Sequence, residues 1–340
     1  MSVVVINLNP GVIIIDNEDP SIKYTGDWTI DTNQFGQWNV GGQLYRGSQH
    51  TTSTAGASFS FDFTASWIKV YGTVIPTTRD TPIPYRCEID GVIQHHRLIP
   101  ANYTRNHEIL CSSSDYTHQG SRTLTITLVN GTVPLFIDYI ELPGPSITSE
   151  EPSYGTIRWD WDDGRIRYTP RGAWGGNRLG AGSLTRTNGA KATIPFTGTR
   201  ITALGRIYRE DFPSINATAT YSIDRQEPIE FVVPAYPSSN ELPVADGHPL
   251  AKQLLFQTEK FYTGEHEITI EYRGSNTTAP LALEYIYVDN NAGFKQPVPV
   301  AAIAGGVVGG FIFLVLLFMV CVYLRRRRRQ GVAIPSEAKR

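Results

Sequence analysis

The sequence predicts an all-β fold, in which two tandem jelly-roll β-sandwiches are followed by one transmembrane α-helix. The 340 residues include 31 Gly, 22 Pro, 17 Tyr and 14 Phe but only 2 Met, a composition typical of strands and turns. Motifs of the first half recur in the same order in the second half. An uncharged stretch near the C-terminus is long enough to cross a bilayer.

Strands are indicated by alternation, because successive side chains of a strand point to opposite faces. Phe59, Phe61 and Phe63 share one face, with Ser60 and Asp62 on the other. Similar alternation recurs along both halves, and no window before residue 298 keeps a helical period. Turn residues interrupt the pattern about every 8 to 12 positions, as in antiparallel sandwiches.

The internal repeat predicts two copies of one fold. The matched segments are Ile22–Trp28 with Ile166–Trp174, Gly56–Phe63 with Gly189–Phe196, Ile68–Gly72 with Ile201–Gly205, Cys87–Asp90 with Tyr221–Asp224, and Leu135–Ile140 with Leu281–Ile286. The predicted organisation is a first sandwich over 1–145, a linker over 146–152, a second sandwich over 153–290 and a juxtamembrane linker over 291–297.

The membrane span is predicted over 298–324, because Val300–Leu324 contains no charged residue in 25 positions. Arg325, Arg326, Arg327, Arg328 and Arg329 follow directly and place the tail, 325–340, in the cytoplasm. These arginines would also contact anionic membrane lipid. Ala302, Gly306 and Gly310 recur every four residues, a spacing that predicts a homodimer through the span.

The topology rests on the span and the arginines. A secretory signal needs about 7 to 15 unbroken apolar residues, and Val3–Ile6 is shorter. We expect either a start further upstream or insertion directed by the span itself. The latter leaves open a tail-anchored protein with a cytosolic body, which would have to translocate five arginines. The preferred interpretation places the body outside, at the plasma membrane or in the secretory pathway.

The charge distribution argues against nucleic acid as a partner. Residues 325–340 hold seven basic residues and one acidic residue, a charge of +6, and the whole chain carries −2. Residues 1–324 therefore carry −8. A face that binds phosphates needs clustered Lys and Arg, which an acidic body does not favour.

With these motifs in hand, the sequence resembles fungal single-pass membrane proteins with two tandem galactose-binding-like β-sandwiches, similar to carbohydrate-binding modules. The resemblance rests on Asp16–Trp28, Gly56–Phe61, Val70–Thr73, Ile89–Gly91, Ile137–Ile140, their counterparts in the second copy and Ala301–Gly310. These motifs report strands and turns, so the resemblance implies a lectin-like architecture more than a particular ligand.

Two cysteines and four sequons fit an outside location. Cys87 and Cys111 align with Tyr221 and Phe256 of the second copy, which predicts a disulfide where the second copy has an aromatic pair. Two buried free thiols are the alternative. Asn-x-Ser/Thr sequons, which predict glycosylation, occur at Asn102, Asn130, Asn216 and Asn276.

Enzyme signatures are missing from the sequence, which holds neither a Gly-x-Ser-x-Gly elbow nor a phosphate-binding glycine loop. We expect no catalysis and no cofactor. Carboxylates grouped in two turns leave structural Ca²⁺ open, with strand-edge acids as the alternative; they are Asp16, Glu18, Asp19, Asp160, Asp162 and Asp163.

Tryptophans beside amide side chains are the candidate glycan contacts, because sugar C–H faces stack on flat rings. Trp38, beside Asn39, has no matched Trp in the second copy. Trp28 and Trp174 are matched, which leaves a core role open for both, and Trp161 is a further candidate. We expect a cell-surface glycoprotein that binds glycan or wall polysaccharide; the alternative is an adhesion protein that binds protein partners through its sandwiches.

Overall fold

The computed structural model describes residues 11–33, 41–76, 84–94, 103–114, 120–144, 155–176, 182–208, 213–237 and 249–290, together with Met319. The described part is all-β apart from Met319 and one short 3₁₀ turn at Tyr45–Gly47. The prediction of an all-β body is therefore confirmed. The chain divides into two compact units, Met1–Phe294 and Lys295–Arg340, and the strands all belong to the first.

The described strands of the first half are β1 (Val12–Asp16), β2 (Ile22–Thr25), β3 (Thr29–Asp31), β4 (Gln49–Thr52), β5 (Ser58–Phe63), β6 (Trp67–Val74), β7 (Tyr85–Ile89), β8 (Val92–Ile93), β9 (Arg105–Ser114), β10 (Arg122–Leu128), β11 (Leu135–Ile137) and β12 (Tyr139–Pro143).

The described strands of the second half are β13 (Thr156–Asp160), β14 (Arg167–Thr169), β15 (Trp174–Gly176), β16 (Ser183–Thr185), β17 (Lys191–Gly198), β18 (Arg200–Ile207), β19 (Ala217–Ile223), β20 (Ile229–Val233), β21 (Leu250–Gln257), β22 (Gly264–Tyr272) and β23 (Leu281–Asp289).

Each half has its own apolar core between two sheets. In the first half, Phe59, Leu124 and Ile126 of the β2-β5-β10-β7-β8 sheet pack with Ile68 and Ile140 from β6 and β12. In the second half the β14-β17-β22-β19-β20 sheet faces β18 and β23 in the same way. The alternation seen in the sequence therefore marks the inward faces of these strands.

One sheet continues from the first half into the second. Its strand order is β21-β18-β23-β13-β1-β12-β6-β9, with β15 and β16 attached beside β23. The halves meet where β1 pairs antiparallel with β13, with Ile13 opposite Ile157. The sequence pattern did not predict this pairing, because two edge strands join through backbone groups that every residue carries.

Aromatic side chains pack together where the two halves meet. We call this group the junction cluster; it consists of Ile14, Tyr45, Tyr71, Tyr139, Leu204 and Tyr287. Tyr71 stacks on Tyr139 with ring centres 4.6 Å apart, and Tyr45 meets Tyr287 edge-on at 5.7 Å. Because the cluster draws on both halves, it fixes their relative position through buried apolar area.

Candidate functional site

A glycine pair brings the loop before β4 into the junction. Gly41 and Gly42 have φ of +93° and +97°. A Cβ atom on Gly41 would lie 2.1 Å from the carbonyl oxygen of Asn106, and one on Gly42 would lie 2.2 Å from that of Lys252. Only glycine fits both this backbone conformation and this approach. The loop therefore passes close to β9 and β21 and carries Tyr45 into the junction.

Two β-bulges turn side chains of β9 and β21 toward this loop. The register of β9 against β6 shifts near Gly72, and that of β21 against β18 shifts near Gly205. His107 and Lys252 occupy these bulges, each with a φ of +54°. A bulge redirects a side chain out of the regular alternation, and both residues line one cavity as a result.

Two buried acids stand at matched places in the repeat. Asp138 accepts a hydrogen bond from the backbone N–H of Tyr45 at 3.1 Å. Glu284 accepts one from the backbone N–H of Lys252 at 2.7 Å and one from Arg206 Nη2 at 2.6 Å. Each acid thus anchors one wall of the cavity. Sequence reasoning missed their role, although an acid inside an apolar strand motif in both copies was a usable signal.

His107 is buried in its neutral form. Its Nε2 lies in short hydrogen-bonding contact with the carbonyl oxygen of Gln43, and its Nδ1 lies 3.1 Å from Tyr139 Oη. A neutral ring with the proton on Nε2 satisfies both contacts. Burial lowers the pKa of His107 to about 3, and the nearby Lys252 ammonium acts in the same direction. Burial raises the pKa of Asp138 well above its usual range.

Arg46 connects the two halves across the cavity edge. Its guanidinium lies 3.3 Å from a carboxylate oxygen of Asp16 and 3.3 Å from one of Asp289, and it donates to Thr156 Oγ1 at 3.2 Å. Thr156 Oγ1 in turn donates to Asp289 at 2.6 Å. The Arg46 side chain is 43% exposed, so these ion pairs orient it more than they add stability.

The junction encloses a cavity of about 420 Å³, which we call the junction cavity. This volume falls within the roughly 300–1,000 Å³ of small-molecule sites. Both halves supply its walls. The lining residues central to its chemistry are Gln43, Tyr45, Arg46, His107, Arg200, Thr202, Leu204, Lys252, Leu254, Gln257, Lys260, Tyr287 and Asp289.

Two buried donors at the junction cavity have no hydrogen-bond partner among the described residues. They are the hydroxyl of Tyr287, a residue only 5% exposed, and Nε of Arg200. Buried polar groups in proteins are nearly always satisfied by protein, water or ligand. Both residues line the junction cavity, but these two donor atoms are themselves inaccessible to solvent.

The structure separates the predicted tryptophans. Trp28 is half-buried against the first core and donates from Nε1 to the carbonyl oxygen of Thr25 at 3.2 Å. Trp174 packs in the equivalent way on the second core, beside Tyr168. Trp161 is half-buried after β13. None of the three lines the junction cavity. Trp38 and Asn39 lie outside the described residues.

A disulfide joins β7 to β9. Cys87 and Cys111 are bonded, with Cα atoms 6.1 Å apart. At the aligned place in the second half, Tyr221 stacks on Phe256 with ring centres 4.4 Å apart. The bond and the stacked pair therefore fill the same site in two copies of the fold, in agreement with the alignment of the halves.

Of the four sequons, three fall on described residues. Asn216 and Asn276 are exposed and Asn130 is half-buried, while Asn102 lies outside the described residues. Exposed side chains give a transferase access, so glycosylation of Asn216 and Asn276 stays a prediction with the required accessibility.

Three of the six carboxylates in the two acidic turns, Asp16, Asp160 and Asp163, have basic partners. Asp16 pairs with Arg46, as described, and in the second turn Arg165 Nε lies 3.3 Å from Asp163 and Arg158 Nε 3.2 Å from Asp160. Within the described ranges, no group of three or more His, Cys, Asp or Glu side chains is placed to hold a metal ion.

Among the described residues, no helix has the length and apolarity needed to cross a membrane. Apart from Met319, the predicted span lies outside these residues. The same holds for the helix-packing positions Ala302, Gly306 and Gly310 and for the anchor arginines 325–329, all of which stay predictions.

No protein-family model matches the chain, and no curated protein matches it. Among solved structures, it is similar to a family two carbohydrate esterase from Cellvibrio japonicus, with 18% identity, 42% of this chain and 36% of the esterase covered, and a TM-score of 0.29. It is also similar to a xanthan lyase from Paenibacillus, with 13% identity and a TM-score of 0.27. That match covers 85% of this chain and 27% of the lyase.

A third similar structure is the CBM22-1-CBM22-2 tandem domain of Xyn10C from Paenibacillus barcinonensis, with 11% identity and a TM-score of 0.27. That match covers 84% of this chain and 99% of the tandem domain. The chain thus spans about a third of the esterase and about a quarter of the lyase. These neighbours are proteins that bind or process carbohydrate, and the values are too low to transfer a ligand or an activity to this chain.

Proposed function

We propose that this chain is a single-pass membrane protein whose two jelly-roll sandwiches face the outside and bind a glycan in the junction cavity, without chemical change of that glycan. The observation that carries the proposal is the junction cavity itself, with walls from both halves and a mixed apolar and polar lining. The predicted span over 298–324 and the arginines after it support the membrane anchor and the outside orientation.

The walls of the junction cavity suit the two-sided surface of a sugar. Leu204, Leu254 and the ring of Tyr287 offer apolar area for C–H faces, while Gln43 and Gln257 offer amides for hydroxyl groups. Carbohydrate sites combine such flat apolar contacts with a few placed hydrogen-bonding groups. A purely apolar ligand would leave the polar groups unpaired at a cost.

Binding is tested with the full chain in lipid nanodiscs on a broad panel of neutral and acidic oligosaccharides. Leu254→Trp places a large ring in the mouth of the junction cavity, where Leu254 is 41% exposed, and we expect it to abolish retention. Val232→Trp is the matched control, because Val232 is exposed on the edge strand β20 and does not line the junction cavity.

The same experiment separates the competing site. If Trp38→Ala weakens retention while Leu254→Trp leaves it unchanged, the glycan binds at the loop of Trp38 and Asn39. If nothing on the panel binds the wild-type chain, the glycan proposal fails and a protein-binding role in adhesion is favoured.

Orientation is tested by protease treatment of sealed microsomes. We expect the body to be protected until detergent opens the vesicles, because the outside topology places it in the lumen. Digestion of the body without detergent would contradict this topology and favour a tail-anchored protein with a cytosolic body.

A further inference from the structure

We infer that the glycan of the junction cavity is acidic, with a carboxylate or sulfate group on a sugar ring that lies against Lys252 and Lys260. This inference rests on the proposed function, since it names the class of glycan that the same cavity takes. It follows from the balance of charges and of hydrogen-bond donors around the cavity.

The lining of the junction cavity is cationic within an acidic body. Its described charged residues are Arg46, Arg200, Lys252 and Lys260 against the single carboxylate of Asp289. Arg46 is shared between Asp16 and Asp289, and Arg200 Nη1 lies 3.9 Å from Asp289. The carboxylates at the cavity edge are therefore paired with the two arginines, and neither of them forms an ion pair with Lys252 or Lys260.

The buried acids behind the cavity are also matched. Glu141 accepts from Arg158 Nη1 and from the hydroxyl of Tyr71, and Glu284 accepts from Arg206 Nη2. Each of these acids therefore has its own arginine. Among the described residues, no carboxylate lies within 4 Å of Lys252 Nζ or Lys260 Nζ.

Lys252 is held in place without a direct ion pair, although the charges of Glu141, Glu284 and Glu108 act on it over a longer distance. Its backbone N–H is bonded to Glu284, and its Nζ lies 5.1 Å from the ring centre of Tyr71 and 6.0 Å from that of Tyr285. Ring faces attract an ammonium group but leave its hydrogen-bonding capacity free. Burial lowers the pKa of Lys252, and the charges of Glu141 and Glu284 act in the opposite direction. An anion beside Nζ would favour the charged ammonium form in the same way.

The polar groups of the lining differ in what they offer an anion. The two ammonium groups only donate hydrogen bonds, whereas Gln43, Thr202 and Gln257 carry acceptors as well as donors. A carboxylate or sulfate, which only accepts, complements the ammonium groups better than a neutral hydroxyl does.

The test uses matched probes that differ in charge alone. Glucuronate-containing oligosaccharides are compared with the same oligosaccharides after carboxyl reduction, which turns each carboxylate into CH₂OH, and sulfated oligosaccharides are compared with their desulfated forms. The full chain in nanodiscs is titrated at low and high salt. We expect the charged form of one pair to bind at least about tenfold more tightly, with a smaller ratio at high salt.

Variants locate the effect. Lys260→Gln alters a solvent-exposed residue and is expected to reduce the preference for the charged form about fivefold. Lys252→Gln is expected to act in the same direction. Lys23→Gln is the matched control, because Lys23 is exposed on β2, pairs with Asp62 at 3.0 Å and does not line the cavity.

The outcomes are distinct. A preference for the uronate or for the sulfate that both cavity lysine variants reduce supports the inference and identifies the anion. Equal binding of charged and neutral forms overturns it, while glycan binding itself stands. A preference that Lys23→Gln reduces as much as Lys260→Gln also overturns it, because overall charge is then responsible. If no oligosaccharide binds at all, the proposed function has failed.

Discussion

At the scale of single residues, His107 and Asp138 form a buried pair whose titrations change the free energy of unfolding in opposite directions with pH. Their closest nitrogen and oxygen atoms lie 4.0 Å apart. The pKa of His107 falls from 6.5 to about 3, and that of Asp138 rises well above 3.8, in both cases mainly through burial. In the folded pair, a proton therefore favours Asp138 over His107.

The pair makes a prediction about Asp138→Asn. A depressed histidine pKa gives stability that is complete above pH 6.5 and lost toward pH 3, whereas a raised aspartate pKa gives stability that is complete below pH 3.8 and lost as the pH rises. Between these limits the two effects oppose each other. In Asp138→Asn only the histidine remains, so we expect the free energy of unfolding to rise with pH, relative to wild type, by up to about 1.4 kcal/mol per pH unit.

Denaturant titrations at several pH values measure this difference. His107→Gln is the complementary variant, and its free energy of unfolding should fall with pH over the same range. Parallel curves for wild type and Asp138→Asn would contradict the raised pKa of Asp138, and a flat curve for Asp138→Asn would contradict the lowered pKa of His107.

The Gly41-Gly42 pair makes a second prediction at this scale. Gly42→Ala brings a Cβ atom against the carbonyl oxygen of Lys252 and forces an unfavourable φ. We expect a loss of about 3 kcal/mol in the free energy of unfolding, from overpacking and backbone strain. Gly175→Ala is the control, because a Cβ atom there meets nothing within 4 Å; similar losses in both variants would refute the close approach.

At the scale of elements, the two halves close the same place with different chemistry. The Cys87–Cys111 bond ties β7 to β9, and Tyr221 stacked on Phe256 holds β19 against β21. The bond closes a loop with a sequence separation of 24 residues, and the stacked pair contributes buried aromatic area. Both solutions stabilise the contact between facing sheets.

Removal of either solution is expected to cost a similar amount. The double variant Cys87→Ala/Cys111→Ala should lose about 3 kcal/mol in the free energy of unfolding from the freed loop, and Tyr221→Ala about 3 to 5 kcal/mol from the emptied core. Calorimetry measures both. A count of free thiols in the denatured, unreduced chain should find Cys321 alone; three free thiols would contradict the bond.

Much at this scale could be predicted from the sequence. Alternation located the inward faces of strands such as β5 and β17, because it is a local signal. The repeat aligned Cys87 with Tyr221, because its motifs occur once in each half. The junction cavity could not be predicted in this way. Arg46 and Asp289 lie 243 positions apart, and no spacing rule connects them.

At the scale of the whole molecule, the junction cluster and the shared sheet couple the two cores. We expect one cooperative unfolding transition for both halves. Tyr45→Ala removes a ring that contacts Tyr139 in the first half and Tyr287 in the second, so it should separate the transition into two. Tryptophan fluorescence and circular dichroism follow them in parallel.

Leu124→Ala is the control for this uncoupling. Leu124 is fully buried in the first core and belongs to no junction contact. We expect it to lower the stability without dividing the transition. Two transitions already present in the wild-type chain would show that the halves unfold independently.

The pairing of β1 with β13 has a consequence for the symmetry of the chain. Since Ile22 and Ile166 hold the same place in the two copies, Ile13 corresponds to Ile157, and these two residues face each other. If each residue is replaced by its counterpart in the other copy, the same pairs of positions face each other. This property defines an isologous twofold interface. At this pairing the two halves are therefore related by a pseudo-twofold axis, as two subunits of a dimer would be. Residues 1–145 produced alone should associate through the β1 edge, and light scattering would reveal a dimer that Ile13→Pro reduces to a monomer.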